Sequence, residues 1–125
     1  MEKSKIGSVK WFDLTVKDAT AVSSFYQQVV GWKEIPLSMG EYNDYCMNLP
    51  ENNETIAGIC HARGANANIP PQWLMYVIVE NLDESLAAVT KNGGKILSEK
   101  RSGGKTAVYS LIEDPGGAHL MLYQE

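Results

Sequence analysis

Cysteine and histidine are scarce in this 125-residue chain, with two of each. Cys46 and Cys60 lie in separate apolar segments without CxxC spacing or a neighbouring ligand cluster, which excludes the usual zinc and redox motifs. With no oxidising compartment implied, both are expected as buried thiols rather than as a cross-link. No stretch approaches the roughly 18 apolar residues that a membrane-spanning helix needs. Met1-Glu2-Lys3-Ser4-Lys5 is followed by no apolar segment of the kind that signals export, so the expectation is a soluble cytoplasmic protein with no membrane partner. The eleven Lys and Arg are outnumbered by fifteen Asp and Glu, for a net charge of -4. They form no run that would track a phosphate backbone, which argues against nucleic acid as a partner.

What is present suits one compact domain over residues 1–125, because 44% of the residues are hydrophobic and a chain of this length can bury a core without staples. From Val9 to Val16 apolar residues nearly alternate, which predicts a strand. Asp18-Ala19-Thr20 starts a helix with Val22, Phe25, Tyr26 and Val29 at helical spacing, and Gly31 stops it. Strands are then predicted over Trp32–Leu37, Asp44–Leu49 and Thr55–His61, separated by turn-prone residues. The order βαβββ repeats: a strand over Trp73–Val79, a helical stripe of Leu82, Leu86 and Val89 ending at Gly93-Gly94, then strands over Lys95–Ser98, Thr106–Ile112 and Ala118–Tyr123. The last two flank the tight turn Asp114-Pro115-Gly116-Gly117. Module one covers about 8–62 and module two about 72–125, with Arg63–Pro71 as an extended connector. A half this small buries too little surface alone, so the modules share one core or exchange partners in a dimer.

A helix after only the first strand of each module leaves one sheet face uncovered, and two such faces opposed make a cavity. Pleat alternation assigns the more aliphatic rows to the helix side: Phe12, Leu14 and Val16 under the first helix, Met75, Val77 and Val79 under the second, and Leu120 and Leu122 on the last strand. The inward rows are then Trp11, Asp13 and Thr15; Leu74, Tyr76 and Ile78; and His119, Met121 and Tyr123.

Trp11-Phe12-Asp13-Leu14-Thr15-Val16-Lys17-Asp18, Phe25-Tyr26-Gln27-Gln28-Val29-Val30-Gly31-Trp32 and Glu113-Asp114-Pro115-Gly116-Gly117 together resemble the vicinal oxygen chelate superfamily, which holds glyoxalases, bleomycin-resistance proteins and extradiol dioxygenases. The resemblance implies an α+β fold of two tandem βαβββ modules, often a homodimer, with a ligand or metal site between opposed sheets. Metal-dependent members carry one ligand on the first and last strand of each module. The matching positions here hold Trp11, Leu74 and Met121, with Gly58 or Ile59 at the fourth, and none is a hard-metal ligand. The expectation is therefore a small-molecule-binding protein of this family with no metal and no cofactor. Its ligand residues are Trp11, Asp13, Tyr76, His119 and Met121, with Trp73 a further aromatic candidate for the lining.

The alternative is a lyase or isomerase of the glyoxalase type. It would move a proton through Asp13 and His119, or use a non-standard metal site drawn from Asp13, His61, His119 or Glu113. An inward carboxylate such as Asp13 anchors a ligand, acts as a base, or is satisfied by its neighbours. For His119 the favoured explanation is a ring satisfied by a nearby hydroxyl or carbonyl, and His61, at a strand end, is expected to face solvent. Gly103-Gly104, within the basic segment Glu99–Lys105, lacks the strand-to-helix context of a phosphate loop and is read as a hairpin loop that could touch an acidic ligand.

Overall fold

The computed structural model describes residues 3–125. It is an α+β structure with two compact units, Phe12–Trp73 and a second formed by the residues up to Trp11 with Leu74–Glu125.

In Phe12–Trp73 the elements are the greater part of β1 (Val9–Val16), α1 (Ala19–Val30), β2 (Lys33–Ser38), β3 (Asn43–Asn48) and β4 (Thr55–His61). β4 runs parallel to β1 in the register Asp13↔Gly58 to Val16↔His61, and antiparallel to β3, which pairs antiparallel with β2. The spatial order is therefore β2-β3-β4-β1. Asp18 caps α1 by accepting from Ala21 N at 3.1 Å. Gly31 ends it at φ 87°, a left-handed position that a side chain would strain, with its N–H on Gln27 O.

α1 lies across β2, β3 and β4. It closes a core of Leu14, Ala19, Tyr45, Met47, Ala57 and Ile59, with Val16, Val22, Tyr26, Trp32 and Trp73 packed around it. That placement explains one departure from the expected pleat: Leu14 and Val16 lie in the core, but Phe12, nearer the start of β1, is exposed. Trp73 also departs from its expected place. Its indole donates to Tyr26 OH at 3.0 Å within the helix-side aromatic group rather than lining a ligand face. The connector is more folded than expected, since Gly64–Asn66 form a 3-10 turn and Ile69 is buried.

The other unit holds β5 (Leu74–Ile78), α2 (Leu82–Lys91), β6 (Lys95–Ile96), β7 (Arg101–Ser102), β8 (Val108–Glu113) and β9 (His119–Gln124). β5 is parallel to β9, β9 antiparallel to β8, and both β6 and β7 pair along β8. The single strand expected over Lys95–Ser98 is thus two residues long, and β7 follows unforeseen. Asn81 caps α2 by accepting from Glu84 N, Gln124 Oε1 takes Leu82 N, and Asp83, Glu84 and Lys91 sit where the helix dipole favours their charges.

α2 covers β6, β8 and β9, burying Leu82, Ile112 and Leu122 with Val79, Leu86, Val89 and Leu120 beside them. Because α2 does not lie across β5, Met75 is exposed instead of sheltered. The Asp114–Gly117 turn forms as expected, with Asp114 Oδ1 accepting from Gly116 N and Ala118 N.

Candidate functional site

The face of the second unit's sheet away from α2 carries a tyrosine group. Tyr109↔Tyr123 are direct partners on β8 and β9, and Tyr76↔Met121 on β5 and β9, so pleating sends all four side chains to one side. Tyr109 and Tyr123 stack at 6.1 Å between ring centroids and 17° between planes, and Tyr76 lies 5.8 Å from Tyr109 and 6.3 Å from Tyr123. Lys10, Trp11, Tyr76 and Tyr123 line a hollow of about 230 Å³. A second hollow of about 400 Å³ shares Lys10 and Tyr123 and is completed by Gly103, Gly104, Lys105, Thr106, Ala107 and Glu125. Gly103 packs against the Tyr123 ring so closely that an added Cβ would stand 3.1 Å from it. Gly104 at φ 89° and Lys105 at φ 49° turn the loop through left-handed backbone.

Lys10 Nζ sits 5.5 Å from the Tyr123 ring centroid, a cation–π distance, and is tied to Glu125 Oε2. Glu125 also accepts from Ser4 N at 2.6 Å and Ser4 Oγ at 2.8 Å. The hydrogen bond from Lys10, then those from Ser4, hold the Glu125 carboxyl down at about 2. A carboxyl depressed in the folded state adds stability above its unfolded pKa, and that contribution disappears as pH falls through the folded value. Glu125→Gln should therefore lower stability by a constant amount above about pH 5, with the difference closing between about pH 4.5 and 2. Urea unfolding of both proteins across that range measures it.

In the other unit, Asp13 and Cys60 meet on the face away from α1. Cys60 Sγ donates to Asp13 at 3.6 and 3.7 Å. Burial, then the carboxylates of Asp13 and Asp44, push the Cys60 thiol well above its ordinary range. Burial followed by Asp13 raises Cys46. Both cysteines are free and half-buried, and their protonated thiols are poor nucleophiles. His61 does not face solvent as expected. Its side chain is 14% exposed because Tyr42 packs edge-on at 5.4 Å and buried Asp44 lies beside it. Asp44 accepts from His61 N at 2.8 Å. The ring's Nδ1 lies 3.5 Å from Asp44 Oδ1 and makes no hydrogen bond.

His119 and Glu113 are cross-strand partners, with Nε2 3.2 Å from Glu113 Oε1, while Lys95 Nζ is 3.9 Å from Oε2. His119 Nδ1 is buried without a hydrogen-bond partner. Of the expected ligand residues, Trp11 and Tyr76 line one hollow, and Met121 lies buried beside Tyr76. His119 stands at the other end of β9, oriented by Glu113, and Asp13 is engaged by Cys60.

At the positions where the resemblance implies metal ligands, Leu74, Met121 and Ile59 are buried and apolar, Gly58 has no side chain, and the Trp11 indole only donates. These residues do not fit a divalent cation. Among the described residues no group of three or more His, Cys, Asp or Glu is arranged to hold a metal, and no helix is long and apolar enough to cross a membrane.

Comparison with known proteins gives consistent relatives. The model described as Glyoxalase/Bleomycin resistance protein/Dioxygenase superfamily matches residues 8–122. The "Putative glyoxylase CFP32" of Mycobacterium bovis and that of Mycobacterium tuberculosis are each 30% identical over 123 residues, 94% of this chain. The match takes in 46% of those proteins, so the chain spans about half the length of the curated relatives it matches. Among solved structures, methylmalonyl-CoA epimerase from Mycobacterium tuberculosis superposes with a TM-score of 0.59 at 14% identity, over 99% of this chain and 92% of that one. Glyoxalase I from Zea mays gives 0.61 at 16%, over 94% and 43%. At such identities the likeness shows the fold.

Proposed function

We propose, because this chain belongs to the glyoxalase/bleomycin resistance protein/dioxygenase superfamily, that it is a small-molecule-binding protein whose ligand stacks in the hollow of Lys10, Trp11, Tyr76 and Tyr123. The observation that carries this reading is that hollow: three aromatic side chains and a lysine stem around a volume of about 230 Å³. Rings offer large contact area at low entropic cost, and Lys10 supplies a polar handle at the rim. Binding needs no metal at the family positions, whose side chains here lack suitable donors. Asp13, His119 and Met121 extend the ligand-facing rows, and the protein works as a cytoplasmic homodimer, as its kinship suggests.

The test is a screen of flat small molecules by thermal shift, followed by calorimetry on the hits. Tyr76→Ala should weaken a genuine hit about tenfold, since losing one stacked ring removes on the order of 1–1.5 kcal/mol. Hits that bind the variant as tightly as the wild type would place the ligand elsewhere.

A second reading, a glyoxalase-type lyase or isomerase, draws support from the CFP32 relatives and from the His119–Glu113 pair. Glu113 lies 3.2 Å from Nε2 and orients the ring, the arrangement by which a carboxylate positions an imidazole for proton transfer. Under this reading His119→Gln abolishes turnover of a substrate that still binds, whereas unchanged turnover removes His119 from catalysis.

A further inference from the structure

The charges around the tyrosine hollow run against the rest of the molecule. The chain as a whole is acidic, at -4, yet among the described residues Lys10 and Lys105 line the paired hollows with Glu125 as the one acidic residue in the lining. A third cation stands close by, because Arg101 is the register partner of Tyr109 and directly opposed residues share a sheet face. Among the described residues, two lysines and one carboxylate thus line these hollows, and Arg101 stands on the same sheet face.

We propose that the ligand of this hollow is a flat aromatic carboxylate, its ring between Trp11, Tyr76 and Tyr123 and its carboxylate directed into the adjoining space bordered by Lys105 and the Gly103–Ala107 loop. This rests on the binding function proposed above and names the chemical class of its ligand. The two hollows adjoin at Lys10 and Tyr123, which line both, so a molecule that extends past these two side chains enters the second space. The first space is walled by rings and a lysine stem and takes the apolar part. The second is bounded by exposed Lys105 and by backbone without bulky side chains at Gly103 and Gly104, which lets an anion approach closely. Lys10 is already committed to Glu125 and Ser4 holds the same carboxylate, so Lys105 is the cation that meets the incoming charge. A lysine at a partly exposed site is a point charge, and the carboxylate should gain about fivefold in affinity over a neutral isostere.

Calorimetric titration with 2-naphthoate and its neutral isostere 2-naphthamide tests this. The expected result is binding of both, with 2-naphthoate about fivefold tighter, and loss of that advantage in Lys105→Gln while the amide binds unchanged. Raising salt to about 0.5 M should weaken 2-naphthoate alone, a readout on the unaltered protein that needs no variant to fold. Equal affinity of the two compounds in the wild type would overturn the anionic class and leave the binding site standing. A salt-dependent preference that survives both Lys105→Gln and Arg101→Gln would place the anion away from this loop and equally overturn the inference. Binding of neither compound, nor of any other flat molecule in the screen, would overturn the hollow as a ligand site and this inference with it.

Discussion

Ile59→Ala is expected to destabilise the protein by about 3 kcal/mol, within the range of roughly 2 to 5 kcal/mol seen when a buried branched side chain is cut to a methyl. Ile59 has no exposed surface, and neither does Met47 beside it in the same core. It lies on β4 opposite Leu14 of β1 on one side and Tyr45 of β3 on the other, so three strands and α1 meet over this one side chain. Ser23 on α1 donates to Met47 Sδ at 4.0 Å, and Thr20 shares a 2.7 Å hydrogen bond with Tyr45, tying the helix to the same row. A helix pinned at two points collapses poorly into a void, which places the cost well above the transfer term alone. Urea denaturation should show a lower midpoint with an unchanged slope, and a thermal midpoint lower by on the order of 10 °C. A loss under about 1 kcal/mol would mean that the core under α1 is loose.

The elements were legible where sequence signals were redundant. α1 combines a capping Asp18, an apolar stripe and a left-handed Gly31, and its limits match expectation; β4 matches over Thr55–His61. The region after α2 was not, because Lys95–Ser98 reads as a strand by composition while only Lys95 and Ile96 find ladder partners on β8. From Leu97 the hydrogen bonding changes: the backbone N–H groups of Leu97 and Ser98 both donate to Leu111 O, and Ser98 Oγ accepts from Leu111 N. Such tertiary competition for a carbonyl leaves no trace in periodicity. Pleat direction held for Leu14, Val16, Leu120 and Leu122. Phe12 and Met75 broke it because alternation says which side a residue faces, and not whether the helix reaches that far along or across the sheet.

The candidate site was legible in part for the same reason. Trp11 and Tyr76 were identifiable as large side chains on the uncovered faces, and they line one hollow. Tyr123 was assigned to the correct row but not recognised as its floor, since stacking with Tyr109 depends on the β8–β9 register. Lys10 was missed outright: a lysine near a chain terminus carries no local signal, and its position over Tyr123 follows from a bond to Glu125, 115 residues away. The partners of Asp13 and His119 were unforeseen too, because Cys60 and Glu113 reach them only through strand pairing.

Gly94→Ala tests how the β6–β8 edge is built. Gly94 does not have positive φ, so its smallness matters for space rather than for backbone conformation. An added Cβ would stand 2.7 Å from Glu113 O and 2.9 Å from Val89 Cγ1, with Val89 O at 3.3 Å. Val89 can rotate at some cost, but the Glu113 carbonyl belongs to the strand that pairs with Lys95, and Gly94 N is itself held by Val89 O at 2.8 Å. Relief therefore means peeling β6 from β8 or lifting the end of α2. Overpacking of this kind costs about 1–3 kcal/mol, and the backbone partner argues for the upper end. Alanine's smaller unfolded-state entropy returns roughly 0.4–1 kcal/mol, too little to reverse the sign. We expect a net loss of about 2 kcal/mol in urea unfolding, together with faster amide exchange at Lys95, Ile96 and Glu113. Because Glu113 also orients His119, the imidazole resonances of His119 should move in the same variant while those of His61 stay in place. A Gly94→Ala protein as stable as the wild type, with both histidines undisturbed, would show that the edge yields without strain and that the close approach of β6 to β8 is not needed to hold Glu113 against His119.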